Sequence, residues 1–267
     1  MDKIILYVAA VFVGASIGSF ANAAAMRTCA DKKWWGRERS VCDSCGTVLS
    51  PHELVPLVSY ILLGGRCRHC GKKIYLRHFV AEVLCAVAAL IFFVRFGLSY
   101  QFVVLLAALV FAAFHTMTDI EAGYIYDSWS FAMALCGIAM RLPFGLRCAA
   151  DGVIGCAAGA CVILAIIAAS RGKMGFGDAT LMAGIGAFMG LKFCILSLYL
   201  GFMSGGAVVL PLIAVKKLTR KSEVPLAPFL CIGMLLASVF GEYIVEYFGF
   251  AADLPWCTEC NAAFWKN

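Results

Sequence analysis

The chain has 267 residues, of which 63% are hydrophobic and 14% are charged, and its formal net charge at pH 7 is +6. A soluble domain carries about 25% charged and 45–50% apolar residues. This composition excludes an ordinary soluble protein and indicates a chain that crosses a membrane several times. The positive charge is concentrated in loops, and nothing else in the sequence indicates nucleic-acid binding.

The hydrophobic segments predict an all-α polytopic membrane protein with about eight transmembrane helices. A helix needs about 20 residues to cross a hydrocarbon core of ~30 Å, and the sixth predicted segment is shorter than this. The number of spans within residues 178–215 is therefore open. The first segment is long and is flanked by Asp2 and Lys3, which argues against a cleavable signal peptide. The predicted spans are residues 4–26, 79–96, 101–119, 126–143, 150–170, 178–190, 191–215 and 227–248.

The basic residues predict the orientation of these helices. Sixteen of the 22 lysines and arginines lie in three alternate loops, formed by residues 27–78, 171–173 and 216–221. Lysine and arginine are enriched in cytosolic loops of membrane proteins. With eight spans, the three loops share the cytosolic side and both termini lie outside. Asp119 and Asp178 are then expected at the cytosolic face of the membrane.

The polar insert formed by residues 27–78 contains two Cys-x-x-Cys-Gly pairs. Each pair suits a tight turn in which two thiolates face one metal ion, while the following glycine takes a positive φ. The 21 residues between the pairs slightly exceed the usual spacing of about 15–20. Disulfides are disfavoured in the cytosol, so a structural zinc site is predicted. Its ligands are Cys42, Cys45, Cys67 and Cys70.

The remaining metal-binding side chains are assigned no ligand role. His52, His69 and His78 lie in or beside the insert, but four cysteines already complete a tetrahedral site. These histidines are therefore predicted to be solvated loop residues. Cys257 and Cys260 lie in the predicted extracytosolic tail, where a disulfide is permitted.

Two aspartates lie at the ends of apolar runs. Asp119 closes a run that begins at Val103, and Asp178 follows the turn Gly175-Phe176-Gly177 directly. Two carboxyl groups that share one proton can activate water, which is the chemistry of an aspartic protease. The glycines suit a loop that brings backbone close to another group. Taken alone, Asp178 is better explained as a cap of the sixth span than as a catalytic acid, and Asp119 is equally consistent with a helix end that carries a water-exposed acid.

Several motifs occur in an order that resembles the type IV prepilin peptidases, also called prepilin leader peptidase/N-methyltransferases. In the first third of the chain, Gly18-Ser19-Phe20-Ala21-Asn22 with Arg27 is similar to the first motif of this family. The two cysteine pairs and the segment Leu54-x-Pro56-x-x-Ser59-Tyr60 resemble its insert. Further matches are Ser40, Gly64, Gly65, Arg66, Ile74, Arg77 and Glu82.

The second part of the chain resembles the same family at both aspartates. Asp119-Ile120-Glu121 with Ile125 and Asp127 is similar to one motif, and Gly175-Phe176-Gly177-Asp178 with Leu181 is similar to another. Three positions depart from the family pattern. Tyr126 replaces a proline, Thr180 replaces a lysine, and His78-Phe79 replaces Tyr-Pro.

The resemblance implies a bifunctional aspartic endopeptidase of the bacterial cytoplasmic (inner) membrane. Such an enzyme removes a basic leader from type IV prepilins or pseudopilins and then methylates the new N-terminal amine with S-adenosylmethionine. The implied catalytic residues are Asp119 and Asp178, supported by Gly175 and Gly177. Candidate residues for methyl transfer are Gly18, Asn22, Glu53, Pro56 and Glu82.

The resemblance also implies a division of the chain by activity. Residues 1–26 form the first transmembrane helix, 27–78 the zinc insert, 79–248 the peptidase core and 249–267 the tail. A basic leader is expected to bind acidic groups, for which Glu53, Glu121 and Asp127 are candidates. Two alternatives remain open: an enzyme that only cleaves, and a zinc-ribbon membrane scaffold without enzymatic activity. A scaffold is expected to tolerate the loss of both aspartates.

Overall fold

The structure is a computed structural model that describes residues 2–35, 39–42, 44–170, 174–217 and 224–248. The predicted tail, with Cys257 and Cys260, lies outside the described residues. The described residues form helices and two short 3-10 turns, with isolated β-bridges but no strand, which confirms the all-α prediction. The helices are α1 (Asp2–Cys29), α2 (Val58–Leu62), α3 (Leu76–Phe96), α4 (Tyr100–Ala122), α5 (Asp127–Arg141), α6 (Leu146–Ala169), α7 (Phe176–Ala214) and α8 (Ala227–Tyr247).

Six of these helices, namely α1, α3, α4, α6, α7 and α8, are long and apolar enough to cross a membrane. Helix α5 has 15 residues, about 22 Å at 1.5 Å per residue, which is short for a full span. Helix α7 has 39 residues and is interrupted at Gly190, where the two predicted spans within residues 178–215 were divided. The chain is thus a multi-pass membrane protein, and the number eight stays a prediction.

Packing divides the chain into two units, residues 1–97 and 98–267. The first unit therefore includes α3, which the prediction from activity had grouped with the peptidase core. In this unit α1 packs closely against α3 through two glycines four residues apart. A Cβ added at Gly14 would lie 2.5 Å from the Cys85 carbonyl oxygen, and one at Gly18 would lie 2.6 Å from that of Ala81. Small residues at this spacing allow two membrane helices to approach backbone to backbone.

The second unit is built around α7, which packs against α5, α6 and α8. Leu181, Met182, Ile185 and Phe188 on its first half are buried in the core of this unit. Contact with α6 is close, since a Cβ added at Gly186 would lie 2.1 Å from the Gly155 carbonyl oxygen. The first half of α7 is thereby fixed on several sides, and its first turn carries Asp178.

The interruption of α7 is held by an ion pair. Gly190 has φ 73° and ψ 176°, which breaks the helical hydrogen-bond ladder. Arg141 is fully buried and donates from Nη1 to the Phe188 carbonyl oxygen at 3.0 Å. Its Nη2 pairs with Asp151 Oδ2, while Asp151 Oδ1 accepts from the Leu191 N–H at 3.2 Å. The pair thus supplies partners for a carbonyl and an amide that the break leaves without helical ones.

Candidate active sites

The four predicted zinc ligands lie together in the first unit. Their sulfur atoms are all within 4.8 Å of one another, and Sγ of Cys42 is 4.0 Å from Sγ of Cys70. Zn–S bonds of about 2.3 Å in a tetrahedron place sulfurs roughly 3.8 Å apart. The described residues thus contain a four-cysteine cluster that is compatible with zinc.

The two cysteine pairs adopt the same local geometry. The Gly46 N–H donates to the Cys42 carbonyl oxygen at 2.9 Å, and the Gly71 N–H donates to that of Cys67 at 2.9 Å. Gly46 has φ +69° and Gly71 has φ +68°, as the sequence predicted. Side chains that contain a Cβ are strained at such angles, so each turn requires its glycine.

Hydrogen bonding favours the thiolate at one ligand. Thr47 Oγ1 lies 3.3 Å from Cys45 Sγ. Hydrogen bonds with the side chain and backbone of Thr47 lower the pKa of Cys45 to about 6. A metal ion binds the thiolate rather than the thiol, so this contact prepares Cys45 as a ligand.

A cavity of about 590 Å³ lies in the first unit, between the end of α1, the insert and the start of α3. Its volume is within the range of small-molecule and cofactor sites, about 300–1,000 Å³. Tyr60 and Phe79 line it and stack with ring centroids 4.5 Å apart. The cavity therefore offers an aromatic surface that suits a planar or cationic group.

Asn22 contributes a buried polar group to this cavity. The residue is 6% exposed, and its Nδ2 donates a short hydrogen bond to Nδ1 of His78. Within the part of the chain that the structure describes, Oδ1 of Asn22 has no hydrogen-bond partner. His78 lies in the first turn of α3 and is half-buried. The prediction of a solvated loop histidine was wrong at this position. His78 instead lies in a helix and is hydrogen-bonded to Asn22 of α1, a contact between residues that are far apart in the sequence.

Glu53 contributes a second buried oxygen. Its side chain is 4% exposed, and Oε2 accepts hydrogen bonds from the backbone N–H (2.8 Å) and the hydroxyl of Ser50. These two contacts, with the hydroxyl as the larger effect, lower the pKa of Glu53 to about 2. Oε1 has no hydrogen-bond partner among the described residues, although His69 Nε2 lies 3.4 Å away. This burial argues against Glu53 as a docking group for a basic leader.

A strained turn lies between Glu53 and the end of the insert. Leu57 has φ 62° and ψ −50°, and the Val58 N–H donates to the Pro56 carbonyl oxygen at 2.7 Å. A γ-turn of this handedness is rare and costs of order 1–3 kcal/mol. Glu82 Oε2 accepts from the Leu57 N–H at 2.7 Å and holds the turn against α3. Strain of this kind is concentrated at functional sites.

The five candidates for methyl transfer all belong to the first unit. Asn22, Glu53 and Glu82 line the cavity. Gly18 allows the helix contact that brings Asn22 to His78, and Pro56 belongs to the turn that Glu82 holds. The structure therefore groups these residues around one cavity and adds His78 to them.

Asp119 and Asp178 lie close together in the second unit. Asp119 occupies the last turn of α4 and Asp178 the first turn of α7, and each residue is 9% exposed. Helices α4 and α7 contact one another, and the two carboxylates lie near enough to interact electrostatically. Asp119 Oδ2 accepts from the Ala227 N–H of α8 at 2.9 Å. Three helices therefore determine the position of the pair.

The two glycines before Asp178 have different surroundings. A Cβ added at Gly177 would lie 2.8 Å from Cβ of Ile125, in the segment that follows α4. A Cβ added at Gly175 would have Oδ2 of Asp178 as its nearest neighbour, at 3.6 Å, so a side chain could be accommodated at this position. Gly177 is thus required by packing, while an alanine at Gly175 would lie beside the carboxylate.

The departures from the family motifs preserve this arrangement. Tyr126 is the N-cap of α5, which begins at Asp127. Thr180 Oγ1 donates to Asp127 Oδ1 at 2.9 Å, so the hydroxyl in place of a lysine links α7 to the start of α5. Asp127 and Glu121 are exposed, which is compatible with a role in binding a basic peptide.

Sequence reasoning missed a buried histidine near the aspartates. His115 lies one helical turn before Asp119 and is fully buried. Its Nε2 is 3.5 Å from Ser130 Oγ, and its Nδ1 has no hydrogen-bond partner among the described residues. The sequence does contain a signal for it, because His115 lies four residues before Asp119 within an apolar run and therefore falls on the same face of the helix.

These features define a multi-pass membrane protein with a paired-carboxylate site in one unit and a cysteine cluster beside a cavity in the other. Residues 12–96 match the Bacterial Peptidase A24 N-terminal domain, and residues 103–210 match the Type IV leader peptidase family. The chain belongs to this family of type IV leader peptidases.

Curated relatives agree with that assignment. The chain is 32% identical over 231 residues to a prepilin leader peptidase/N-methyltransferase of Myxococcus xanthus, covering 82% of this chain and 67% of the relative. It is 29% identical over 213 residues to one of Bacillus subtilis, covering 79% and 85%. It is 28% identical over 216 residues to one of Aeromonas hydrophila, covering 79% and 74%. No solved structure matches the chain.

Proposed function

We propose that the chain is a bifunctional enzyme of the bacterial cytoplasmic membrane that cleaves the basic leader from prepilins or pseudopilins and methylates the new N-terminus. Its relatives carry both activities in their names. The observation that carries the proposal is the proximity of Asp119 and Asp178, two nearly buried aspartates contributed by different helices. The expected orientation has both termini outside and the aspartates at the cytosolic face.

The proposed cleavage uses the two aspartates as one unit. One carboxyl group, protonated, donates to the scissile carbonyl oxygen, while the other, ionised, accepts a proton from the attacking water. The single proton belongs to the pair rather than to either residue. The backbone N–H of Ala227 fixes one oxygen of Asp119, so the pair is oriented before the substrate arrives. Gly175 and Gly177 support the loop that leads to Asp178.

The proposed methyl transfer takes place in the cavity of the first unit. S-adenosylmethionine supplies the methyl group when it is bound, and the aromatic surface of Tyr60 and Phe79 is suited to its sulfonium or its adenine ring. A zinc ion held by the four cysteines would fix the insert against the helices, because a segment of this size has little core of its own. Its role here is structural.

The test is mass spectrometry of a co-expressed prepilin. Wild-type enzyme is expected to yield a shortened substrate with one extra methyl group, and Asp119→Asn and Asp178→Asn to yield intact substrate. Glu246→Gln, which removes an exposed acid of α8, is the matched control and is expected to behave as wild type. Cleavage at the wild-type rate by either asparagine variant would remove that residue from the catalytic pair. Shortening without methylation by wild type would establish an enzyme that only cleaves.

The basic leader is proposed to bind Glu121 and Asp127, which are exposed. Charge reversal at these residues is expected to raise KM for a lysine-rich leader while the rate at saturating substrate changes little. The same substitutions measured on a substrate with a neutral leader provide the control. Equal effects on both substrates would exclude charge recognition at these positions.

A further inference from the structure

We infer that Asn22 and Glu53 bind the newly exposed N-terminal amine of the cleaved substrate, and that His78 positions Asn22 for this contact. The inference rests on the proposed methyl transfer in the first unit. It assigns one end of the cavity to the methyl acceptor rather than to the methyl donor.

Two hydrogen-bond acceptors in the cavity carry the inference. Asn22 is 6% exposed and the Glu53 side chain is 4% exposed, and both line the same cavity. In the described part of the chain, Oδ1 of Asn22 and Oε1 of Glu53 receive no hydrogen bond, although His69 Nε2 lies 3.4 Å from the Glu53 oxygen. Buried polar atoms in folded proteins are nearly always satisfied by protein, water or ligand. Two unsatisfied acceptors, one of them on a carboxylate, select a ligand with several N–H groups and a positive or partial positive charge.

The chemistry of the reaction requires such contacts at the amine. A peptide α-amino group has a pKa of about 7.7–8.0 in water, so near pH 7.5 a substantial share of the free peptide is available to bind as the neutral amine, which is the nucleophile. Two acceptors that hold two N–H bonds leave the nitrogen lone pair directed at the methyl carbon. The N–C bond then forms as the S–C bond breaks, the sulfonium becomes a thioether, and the resulting secondary ammonium releases a proton to water.

His78 determines which atom of Asn22 faces the ligand. Nδ2 of Asn22 donates to Nδ1 of His78, which leaves Oδ1 as the free acceptor. His78 begins α3, and the close contact at Gly18 brings this turn beside α1. We therefore describe His78 as a positioning residue, because it acts through Asn22. The charged side chains that line the cavity together with His78 are Arg27, Lys32, Arg39, Glu53, Arg68, Lys72, Arg77 and Glu82.

The charges around the cavity favour a cleaved substrate over an uncleaved one. The acceptor atoms of Asn22 and Glu53 are buried, whereas the basic residues are more exposed. Five of the six basic side chains that line the cavity are exposed and the sixth is half-buried. A basic leader is repelled by these cations, and a new N-terminus with a single amine is not repelled to the same extent. The six residues are Arg27, Lys32, Arg39, Arg68, Lys72 and Arg77.

The test uses purified full-length enzyme, S-adenosylmethionine and a synthetic peptide that begins at the mature N-terminus. Asn22→Ala and Glu53→Gln are expected to raise the peptide KM about 10- to 100-fold, while the dissociation constant of S-adenosylmethionine, measured by calorimetry, changes less than about threefold. His78→Leu is expected to raise KM similarly. His78→Asn, whose Oδ1 can accept the Asn22 N–H, is expected to restore it. Glu246→Gln is the control.

The outcomes separate this inference from the proposed function. Failure of wild-type enzyme to methylate the peptide would overturn the proposed methyl transfer itself. Methylation by wild type, with unchanged peptide KM in both variants or with a loss confined to S-adenosylmethionine binding, would overturn only the amine assignment. A peptide lacking its α-amino group tests wild-type enzyme without any substitution. Its inhibition constant is expected to be at least about 10-fold higher than the dissociation constant of the peptide that carries the amine. Equal constants would contradict the inference.

Discussion

Replacement of Gly190 by alanine tests whether the interruption of α7 and its ion pair stabilise the second unit. At φ 73° and ψ 176°, a residue with a Cβ is strained by about 1–3 kcal/mol. The added Cβ would also lie 2.0 Å from Oδ2 of Asp151. That carboxylate must move, and its charged hydrogen bonds to Arg141 and Leu191 contribute about 1.5–3 kcal/mol. The expected loss of unfolding free energy is therefore about 2.5–6 kcal/mol.

The measurement is thermal unfolding of the detergent-purified protein. A change of 1 kcal/mol shifts Tm by roughly 2–4 °C for a domain of about 150–250 residues, so Gly190→Ala is expected to lower Tm by at least about 5 °C. Gly206→Ala is the matched control in the same helix, because a Cβ there meets nothing within 4 Å. Alanine is favoured over glycine inside a helix by about 0.5–1 kcal/mol, so this control is expected to melt at or slightly above wild type.

A double-mutant cycle separates the two contributions. In an Asp151→Ala background, Gly190→Ala is expected to cost its backbone strain, about 1–3 kcal/mol, and a shift of Arg141 Nη2, which lies 2.7 Å from the added Cβ, but no longer the displacement of Asp151. If Gly190→Ala melted within about 2 °C of Gly206→Ala, the interruption of α7 would not require glycine. If the two substitutions at 151 and 190 were fully additive, the contact between them would be absent.

Three further predictions concern the first unit. Cys45→Ser is expected to reduce bound zinc, measured by elemental analysis, well below one ion per chain and to increase proteolysis within the insert, whereas Cys161→Ser, an exposed cysteine of α6, retains the wild-type zinc content. Gly18→Leu is expected to separate α1 from α3 and reduce methyl transfer at least tenfold, with a smaller effect on cleavage, whereas leucine at the exposed Val8 is tolerated. Because the pKa of Glu53 is lowered from 4.5 to about 2, its stabilising effect is present above about pH 4.5 and is lost as the pH falls to about 2. The Tm difference between wild type and Glu53→Gln is therefore expected to shrink as the pH falls below about 4.5, and a difference that stayed constant from about pH 5 down to about pH 2 would contradict this assignment.

Features set by local chain geometry were predictable from the sequence. The cysteine turns follow from spacing and from the glycine after each pair, and the observed positive φ of Gly46 and Gly71 agrees. The placement of Asp178 in a first helical turn follows from the glycines before it. The division at Gly190 was visible as an ambiguous span boundary, because a run of nearly 40 apolar residues is too long for one crossing.

Features that depend on distant contacts were not predictable in this way. The sequence predicts a solvated loop residue at His78, because its partner Asn22 lies 56 residues earlier. The sequence does not indicate that Arg141 and Asp151 are partners, and only the packing of α5, α6 and α7 shows that they stabilise a broken helix. The burial of Glu53 likewise depends on the folded insert. His78 and Arg141 thus have partners whose identity spacing cannot reveal.

The basic side chains around the cavity lead to a prediction about the order of the two reactions. A mature peptide extended by two N-terminal lysines is expected to be methylated more slowly than the unextended peptide, because each added charge costs about 1 kcal/mol near like charges at short range, or roughly fivefold. The Debye length falls from about 10 Å at 0.1 M salt to about 3 Å at 1 M, so the difference in kcat/KM is expected to shrink as salt increases. A peptide extended by two serines controls for length. If the lysine-extended peptide were still methylated more slowly at 1 M salt, or if the serine extension slowed methylation equally, the leader would be excluded by its size. A difference in kcat/KM that decreases with salt would indicate that charge restricts methylation to substrates that have already been cleaved.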